Sequence, residues 1–242
     1  MDAFNQQSQF DSLPFFYEDM FNWPFRKDIE VPSVLESLGD ISSLNILDFG
    51  CGTGYYARLL KQRGAGRVVG FDVAGGMLEY AKAREKENPL GIEYISKIPL
   101  SMNQQFDLVL AVYVLPYATN YELLRDMVAT MARLLSPGGR LLTLPLNPEY
   151  NARSEYYEPY GFQLSSETPY QDGTEVRLRF PQKSAADICA NYWSRAAIDR
   201  ALAHNRLEVT SWRNPQAYGE VAENLQAYLA YPHTVLVDCQ LR

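Results

Sequence analysis

The stretch Ile46-Leu47-Asp48-Phe49-Gly50-Cys51-Gly52-Thr53-Gly54 decides how this chain folds. Its apolar run ends in Asp48 and opens into three glycines at alternate positions. Tyr56, Leu59 and Leu60 then follow at helical spacing. Further on, Arg67-Val68-Val69-Gly70-Phe71-Asp72 reads as a second short strand ending in an acid. The order is therefore strand, glycine turn, helix, strand. Glycine lets the backbone turn tightly and lets a ligand approach without Cβ interference. The N-terminus of the following helix offers free N–H groups to that ligand. Asp72 lies 20 residues beyond Gly52, the spacing expected of a carboxylate that binds ribose hydroxyls. A nucleoside cofactor is expected here.

Which cofactor depends on the glycine spacing. A dinucleotide fingerprint requires G-x-G-x-x-G, but counting from Gly50 puts Tyr55 at the third glycine position. No G-x-x-x-x-G-K-[ST] phosphate loop occurs in the chain. The pattern present, D-x-G-x-G-x-G, resembles motif I of the class I, Rossmann-like, S-adenosylmethionine (SAM)-dependent methyltransferases. In that family the turn faces an amino-acid moiety and not a pyrophosphate. The resemblance continues downstream. Gln105-Phe106-Asp107-Leu108-Val109 is similar to the family's fourth-strand motif, and Leu135-Ser136-Pro137-Gly138-Gly139-Arg140-Leu141 to the turn before its fifth strand. Matches at 46–54, 67–78, 106–118 and 134–144 fall in the family's order, and the whole chain is loosely similar to bacterial small-molecule methyltransferases such as toxoflavin N-methyltransferase. The resemblance implies SAM as cofactor, held by Asp48, Gly50, Cys51, Gly52, Gly54, Asp72, Met77 and Ala111. Two departures matter. The acid that commonly ends the third strand is missing from Glu93-Tyr94-Ile95-Ser96-Lys97-Ile98, which leaves Ser96 or a backbone carbonyl for adenine, with Ile98 beside the ring. Pro116 stands where many relatives carry a histidine, which removes the usual candidate for a general base.

Length and charge narrow the classes further. At 242 residues the chain fits one α/β domain with an inserted cap. A net charge of −7 argues against a nucleic-acid partner, which demands a basic stripe. The three cysteines, Cys51, Cys189 and Cys239, are too few and too separated for a disulfide framework or a zinc site. No metal is expected. The first residues lack the basic and apolar regions of a signal peptide, and no apolar run approaches the ~18 residues of a membrane span. A soluble cytoplasmic protein without membrane partners, monomeric or homodimeric, is expected.

Along the chain, strands at 44–49, 67–72, 92–95, 106–113 and 140–144 alternate with helices at 54–63, 75–87 and 121–135. A sixth strand at 207–212 and a reversed seventh at 233–239 complete the reading. The expectation is a doubly wound, mostly parallel seven-stranded sheet with a reversed last strand. Residues 1–40 form an N-terminal cap, with a short helix at 29–38 ended by Gly39. Residues 41–146 form the SAM-binding core, 147–180 a substrate-lid insertion, and 181–242 the C-terminal part of the sheet.

The acceptor site must come from the caps. Residues 1–25 carry eight aromatics: Phe4, Phe10, Phe15, Phe16, Tyr17, Phe21, Trp23 and Phe25. Five of the 17 tyrosines fall within 150–170. A segment after the fifth strand runs over the carboxyl ends of the strands, where open α/β sheets bind ligands. Tyrosines there offer flat apolar faces plus an orienting hydroxyl, or simply tie down an irregular loop. Tyr17 and Arg26 are candidates for the SAM carboxylate. Trp23, Tyr113, Tyr117, Tyr157 and Trp193 are candidates for the acceptor wall, with Tyr113, Tyr117 and Tyr157 positioning the acceptor. The two histidines read as structural: His204 near a helix end and His233 opening the last strand. Lacking a clear base, the chain is expected to methylate a nitrogen or an acidic oxygen of a small aromatic or heteroaromatic metabolite. The alternative is a non-catalytic SAM-binding regulatory protein.

Overall fold

The computed structural model describes residues 9–181, 187–220 and 222–242. Phe4 lies outside the described residues. Strands β1 (Asn45–Phe49), β2 (Arg67–Phe71), β3 (Glu93–Ile95), β4 (Phe106–Val112) and β5 (Leu135–Leu144) lead into three short strands, β6 (Gln163–Ser165), β7 (Glu175–Arg179) and β8 (Ile188–Asn191). β9 (Leu207–Arg213) and β10 (Leu236–Leu241) follow. The helices are α1 (Pro14–Met20), α2 (Val31–Leu38), α3 (Tyr55–Gln62), α4 (Gly75–Glu87), α5 (Tyr121–Leu134), α6 (Arg195–His204) and α7 (Glu223–Ala230).

The main sheet runs β3-β2-β1-β4-β5-β10-β9, and β10 lies antiparallel to both of its neighbours. β1 pairs in parallel with β2 and with β4, so the order of strands turns back between β1 and β4. Ligands of open α/β sheets bind at such a switch point. Leu47, Val69, Val109 and Ala111 are fully buried, because helices cover both faces of a parallel sheet. Caps follow the local chemistry. The Asn120 side chain accepts the Leu123 N–H at 2.8 Å to open α5, and Ser194 accepts the Ala197 N–H at 3.2 Å to open α6.

Three features differ from the sequence reading. β5 begins at Leu135 and not after the turn: Phe106 pairs with Leu135 and Leu108 with Arg140, so residues 136–139 form an irregularity within one paired element. Helix α2 is preceded by a π-helical turn, Arg26–Glu30, closed by Val31 N–H to Arg26 O. The segment after β5 is not an irregular loop throughout, since it carries the antiparallel sheet β6-β7-β8. That sheet and the N-terminus share a third core, in which Phe25 and Ile29 join Tyr157, Tyr160, Phe162, Leu164 and Val176. Among the described residues no helix is long and apolar enough to cross a membrane.

Candidate active site

The glycine turn is hung on the end of β2. Gly50 N–H and Cys51 N–H both donate to Phe71 O, at 2.7 and 2.9 Å. Gly52 N–H donates to Asp72 Oδ2 at 2.7 Å, and Ala74 N–H donates to Asp72 Oδ1 at 2.9 Å. Asp72 therefore clamps the turn as well as facing the cavity. Burial holds its carboxyl above the usual carboxylate range, against the pull of these backbone donors. The glycines do different jobs. A Cβ on Gly52 (φ +53°) would meet nothing within 4 Å, whereas one on Gly54 (φ +78°) would fall 2.3 Å from Tyr94 Oη. Gly52 leaves room for a ligand, and Gly54 leaves room for the protein's own Tyr94.

A cavity of about 380 Å³ opens beside this turn. Its walls include Asp48, Gly50, Cys51, Gly52, Asp72 and Met77, together with Tyr17, Arg26, Tyr113 and Tyr117. Asp48 is almost fully buried, its Oδ2 makes no hydrogen bond, and burial, reinforced by the charge of Asp72, pushes its carboxyl up to about 7. The Tyr17 and Tyr117 hydroxyls lie within reach of one another, and burial raises the pKa of Tyr17 and pushes that of Tyr117 up to about 12. Phe10 stands edge-on to both rings, at 5.7 Å from Tyr17 and 5.0 Å from Tyr117. The N-terminal aromatics thus divide: Phe10, Tyr17 and Phe21 wall the cavity, whereas Phe16 and Trp23 pack with Phe180.

Behind the cavity lies a buried polar chain. Arg26 Nε bonds Glu30 Oε1 at 3.0 Å, both residues lying almost wholly out of solvent. Burial opposes the Arg26 charge, but Glu30, Tyr113 and Tyr56 together more than offset this and raise its pKa. Tyr56 Oη donates to the same Glu30 oxygen at 3.3 Å, and Tyr113 Oη donates to Glu30 Oε2. Tyr113 Oη also lies 3.2 Å from His233 Nε2, and His233 Nδ1 lies 2.8 Å from Tyr228 Oη. Burial, with the charge of Arg26, lowers the His233 pKa to about 3, so its ring is neutral. Tyr113 holds a φ of +59°, unusual for a bulky side chain.

Several expected residues lie elsewhere. Gly54, Ser96, Ile98 and Ala111 do not line the cavity; Ala111 is fully buried within β4, and Ile98 packs on the main core. Trp193 is buried with its indole N–H on Ala118 O at 3.1 Å. Tyr157 is fully buried, stacks on Phe162, donates to Tyr231 O at 3.0 Å and accepts from Asn151 N at 2.9 Å. Trp23 packs edge-on against Phe16, Phe25 and Phe180. Trp193 and Tyr157 fill cores of the protein and the half-buried Trp23 packs against one, so none of the three walls this cavity, because a large aromatic ring is as suited to packing as to binding. The sequence offered Phe10 and Phe21 only as members of the N-terminal aromatic cluster and Tyr56 only as a helix position, did not single out Glu30, and read His233 as structural. The Arg26/Glu30 pair at i,i+4 was the one signal within reach.

Residues 46–139 match the family model described as a methyltransferase domain. The chain is 31% identical over 140 residues to demethylmenaquinone methyltransferase of Lactococcus lactis, covering 54% of each chain. It is 29% identical over 176 residues to ubiquinone biosynthesis O-methyltransferase of Bartonella tribocorum, covering 72% of this chain and 64% of that one. The chain spans between a quarter and about half of the length of the curated relatives it matches first. The fold is shared with the crystal structure of a SAM-dependent methyltransferase from Mesorhizobium loti, at a TM-score of 0.61 and 18% identity, over 91% of this chain and 99% of that one. Residues 46–139 thus match a methyltransferase domain, and the seven-stranded sheet around them has the fold of solved SAM-dependent methyltransferases.

Proposed function

We propose that this protein transfers the methyl group of SAM to a nitrogen or oxygen of a small aromatic or heteroaromatic metabolite. The observation that carries the reading is the cavity at the glycine turn. Its volume of about 380 Å³ lies near the lower end of the range of roughly 300–1,000 Å³ for small-molecule sites. The residues present fit the cofactor. Gly52 leaves its Cβ position open, the buried Asp48 Oδ2 lacks a partner, and Arg26 brings a cation to the wall. Asp72 would hold the ribose, Gly50, Cys51, Gly52 and Asp48 the amino-acid end, Arg26 and Tyr17 the carboxylate, and Met77 one face of the adenine. Bound SAM supplies an electrophilic methyl carbon on a sulfonium.

The chain's own part is positioning and exclusion of water. Phe10, Tyr17, Phe21, Tyr113 and Tyr117 wall the site, so an acceptor can be held in line and kept from solvent. Their ring faces favour a cation beside them. Relatives named for demethylmenaquinone and for ubiquinone biosynthesis support a small-molecule acceptor. The test is calorimetric binding of SAM, followed by transfer of a labelled methyl group to phenols and heteroaromatic amines. Absence of SAM binding would overturn the proposal.

A further inference from the structure

We infer that Tyr113 takes the proton of a hydroxyl acceptor and relays it to Glu30, so that the acceptor is a phenol or enol and the product an O-methyl ether. This deepens the proposed methyltransferase activity and rests on it. Three independent features meet at one point. A π-helical turn, a rare form frequent at functional sites, brings Arg26 and Glu30 to the buried end of the network. Tyr113 keeps a left-handed backbone that is costly for a bulky residue. The ion pair it contacts is buried, although replacing such a pair by apolar residues is often neutral or stabilising.

The hydrogen-bond directions follow from the donors available. The single Tyr113 hydroxyl proton goes to the Glu30 carboxylate, so the Nε2 of the neutral His233 is the donor to Tyr113 Oη. His233 Nδ1 then accepts from Tyr228 Oη. A phenolic oxygen has two acceptor lone pairs, of which His233 occupies one. The other is available to an acceptor O–H in the cavity that Tyr113 lines. In the reaction the acceptor oxygen bonds to the methyl carbon as the S–C bond breaks and its electron pair stays on sulfur. The acceptor O–H proton passes to Tyr113 Oη, and the proton of Tyr113 passes to Glu30 Oε2. One positive charge on sulfur and one negative charge on Glu30 disappear together, so no net charge is created in a buried site. Tyr113 is the catalytic residue; Glu30, Arg26 and His233 position it. An amine or ring nitrogen needs no such relay.

The test uses catechol and 4-nitrophenol as probes. Wild type and Tyr113→Phe should bind SAM with the same affinity by calorimetry. Tyr113→Phe should lower kcat for catechol methylation by roughly 10²–10⁴-fold, the share of general-base catalysis. It should also weaken binding of 4-nitrophenol to the protein loaded with S-adenosylhomocysteine, a readout independent of turnover. Glu30→Gln should match Tyr113→Phe in kcat, and Glu30→Asp should restore part of it. Full kcat in Tyr113→Phe would overturn the relay, and so would SAM binding by wild type with methylation of nitrogen acceptors alone. A wild type that binds no SAM would instead fail the activity itself.

Discussion

Asp72 serves two structures at once, and Asp72→Ala separates them. Its carboxylate accepts Gly52 N–H at 2.7 Å and Ala74 N–H at 2.9 Å, which ties the glycine turn to the start of α4. A hydrogen bond to a charged group contributes about 1.5–3 kcal/mol. With some rehydration from the adjoining cavity, losing both should cost about 2–4 kcal/mol. At roughly 2–4 °C per kcal/mol for a domain of this size, the melting temperature should fall by about 5–15 °C. In the holo protein the same carboxylate would hold the ribose, so SAM affinity should drop by a further 1.5–3 kcal/mol, roughly 10–150-fold. Asp72→Asn is the sharper control, because its amide can accept one of the two backbone N–H groups but must face the other donor with a donor. Urea unfolding without cofactor reads the first effect, and calorimetry well below the melting temperature reads the second. A folded Asp72→Ala with unchanged stability and unchanged SAM affinity refutes both roles. Lost stability with unchanged affinity leaves Asp72 as a clamp and removes it from the ribose.

Asp48, with its carboxyl pushed up to about 7 by burial, should make the cofactor-free protein more stable in mild acid than at pH 8. Its folded pKa exceeds the ordinary carboxylate value, so its stabilisation is complete below that ordinary value and is lost as pH rises through about 7. A gap of about three pH units bounds the effect near 4 kcal/mol, and the pH dependence should shrink in Asp48→Asn by urea unfolding; an unchanged slope would remove the assignment. Gly52→Ala should weaken SAM binding at least tenfold while costing about 1–2 kcal/mol for its left-handed backbone. Gly54→Ala should lose more stability than Gly52→Ala, because its Cβ meets Tyr94 Oη at 2.3 Å; the reverse ranking in urea unfolding would contradict these assignments. Trp193→Ala should cost about 3–5 kcal/mol as a core truncation, with kcat/KM per folded molecule retained. A changed KM at full stability would move Trp193 to the acceptor.

The linear sequence carried the main sheet almost whole, because the interactions that specify it are local. A run such as Phe106-Asp107-Leu108-Val109-Leu110 declares a strand buried on both faces. Asn120 and Ser194 declare helix starts by what their side chains can accept. The D-x-G-x-G-x-G turn and Asp72 were legible for the same reason: close backbone approach demands glycine at fixed spacing. β7 was legible too, since Glu175-Val176-Arg177-Leu178-Arg179 alternates with period two, and only the surrounding aromatics drew the reading toward a loop.

The rest was decided in three dimensions. Tyr157, Trp193 and Trp23 carry the chemistry of a pocket wall and the chemistry of a core equally well, and only packing sends them to the core. Glu30, Tyr113, Tyr228 and His233 come from the N-terminal turn, the end of β4, α7 and the approach to β10. No periodicity links positions 83 and 120 residues apart. Their meeting depends on how the sheet order brings β10 beside β5 and how the N-terminus closes over both. Local pattern specifies which elements form, because backbone hydrogen bonding and side-chain periodicity act over a few residues. The company a buried carboxylate keeps is set only when distant elements exclude water from the same point.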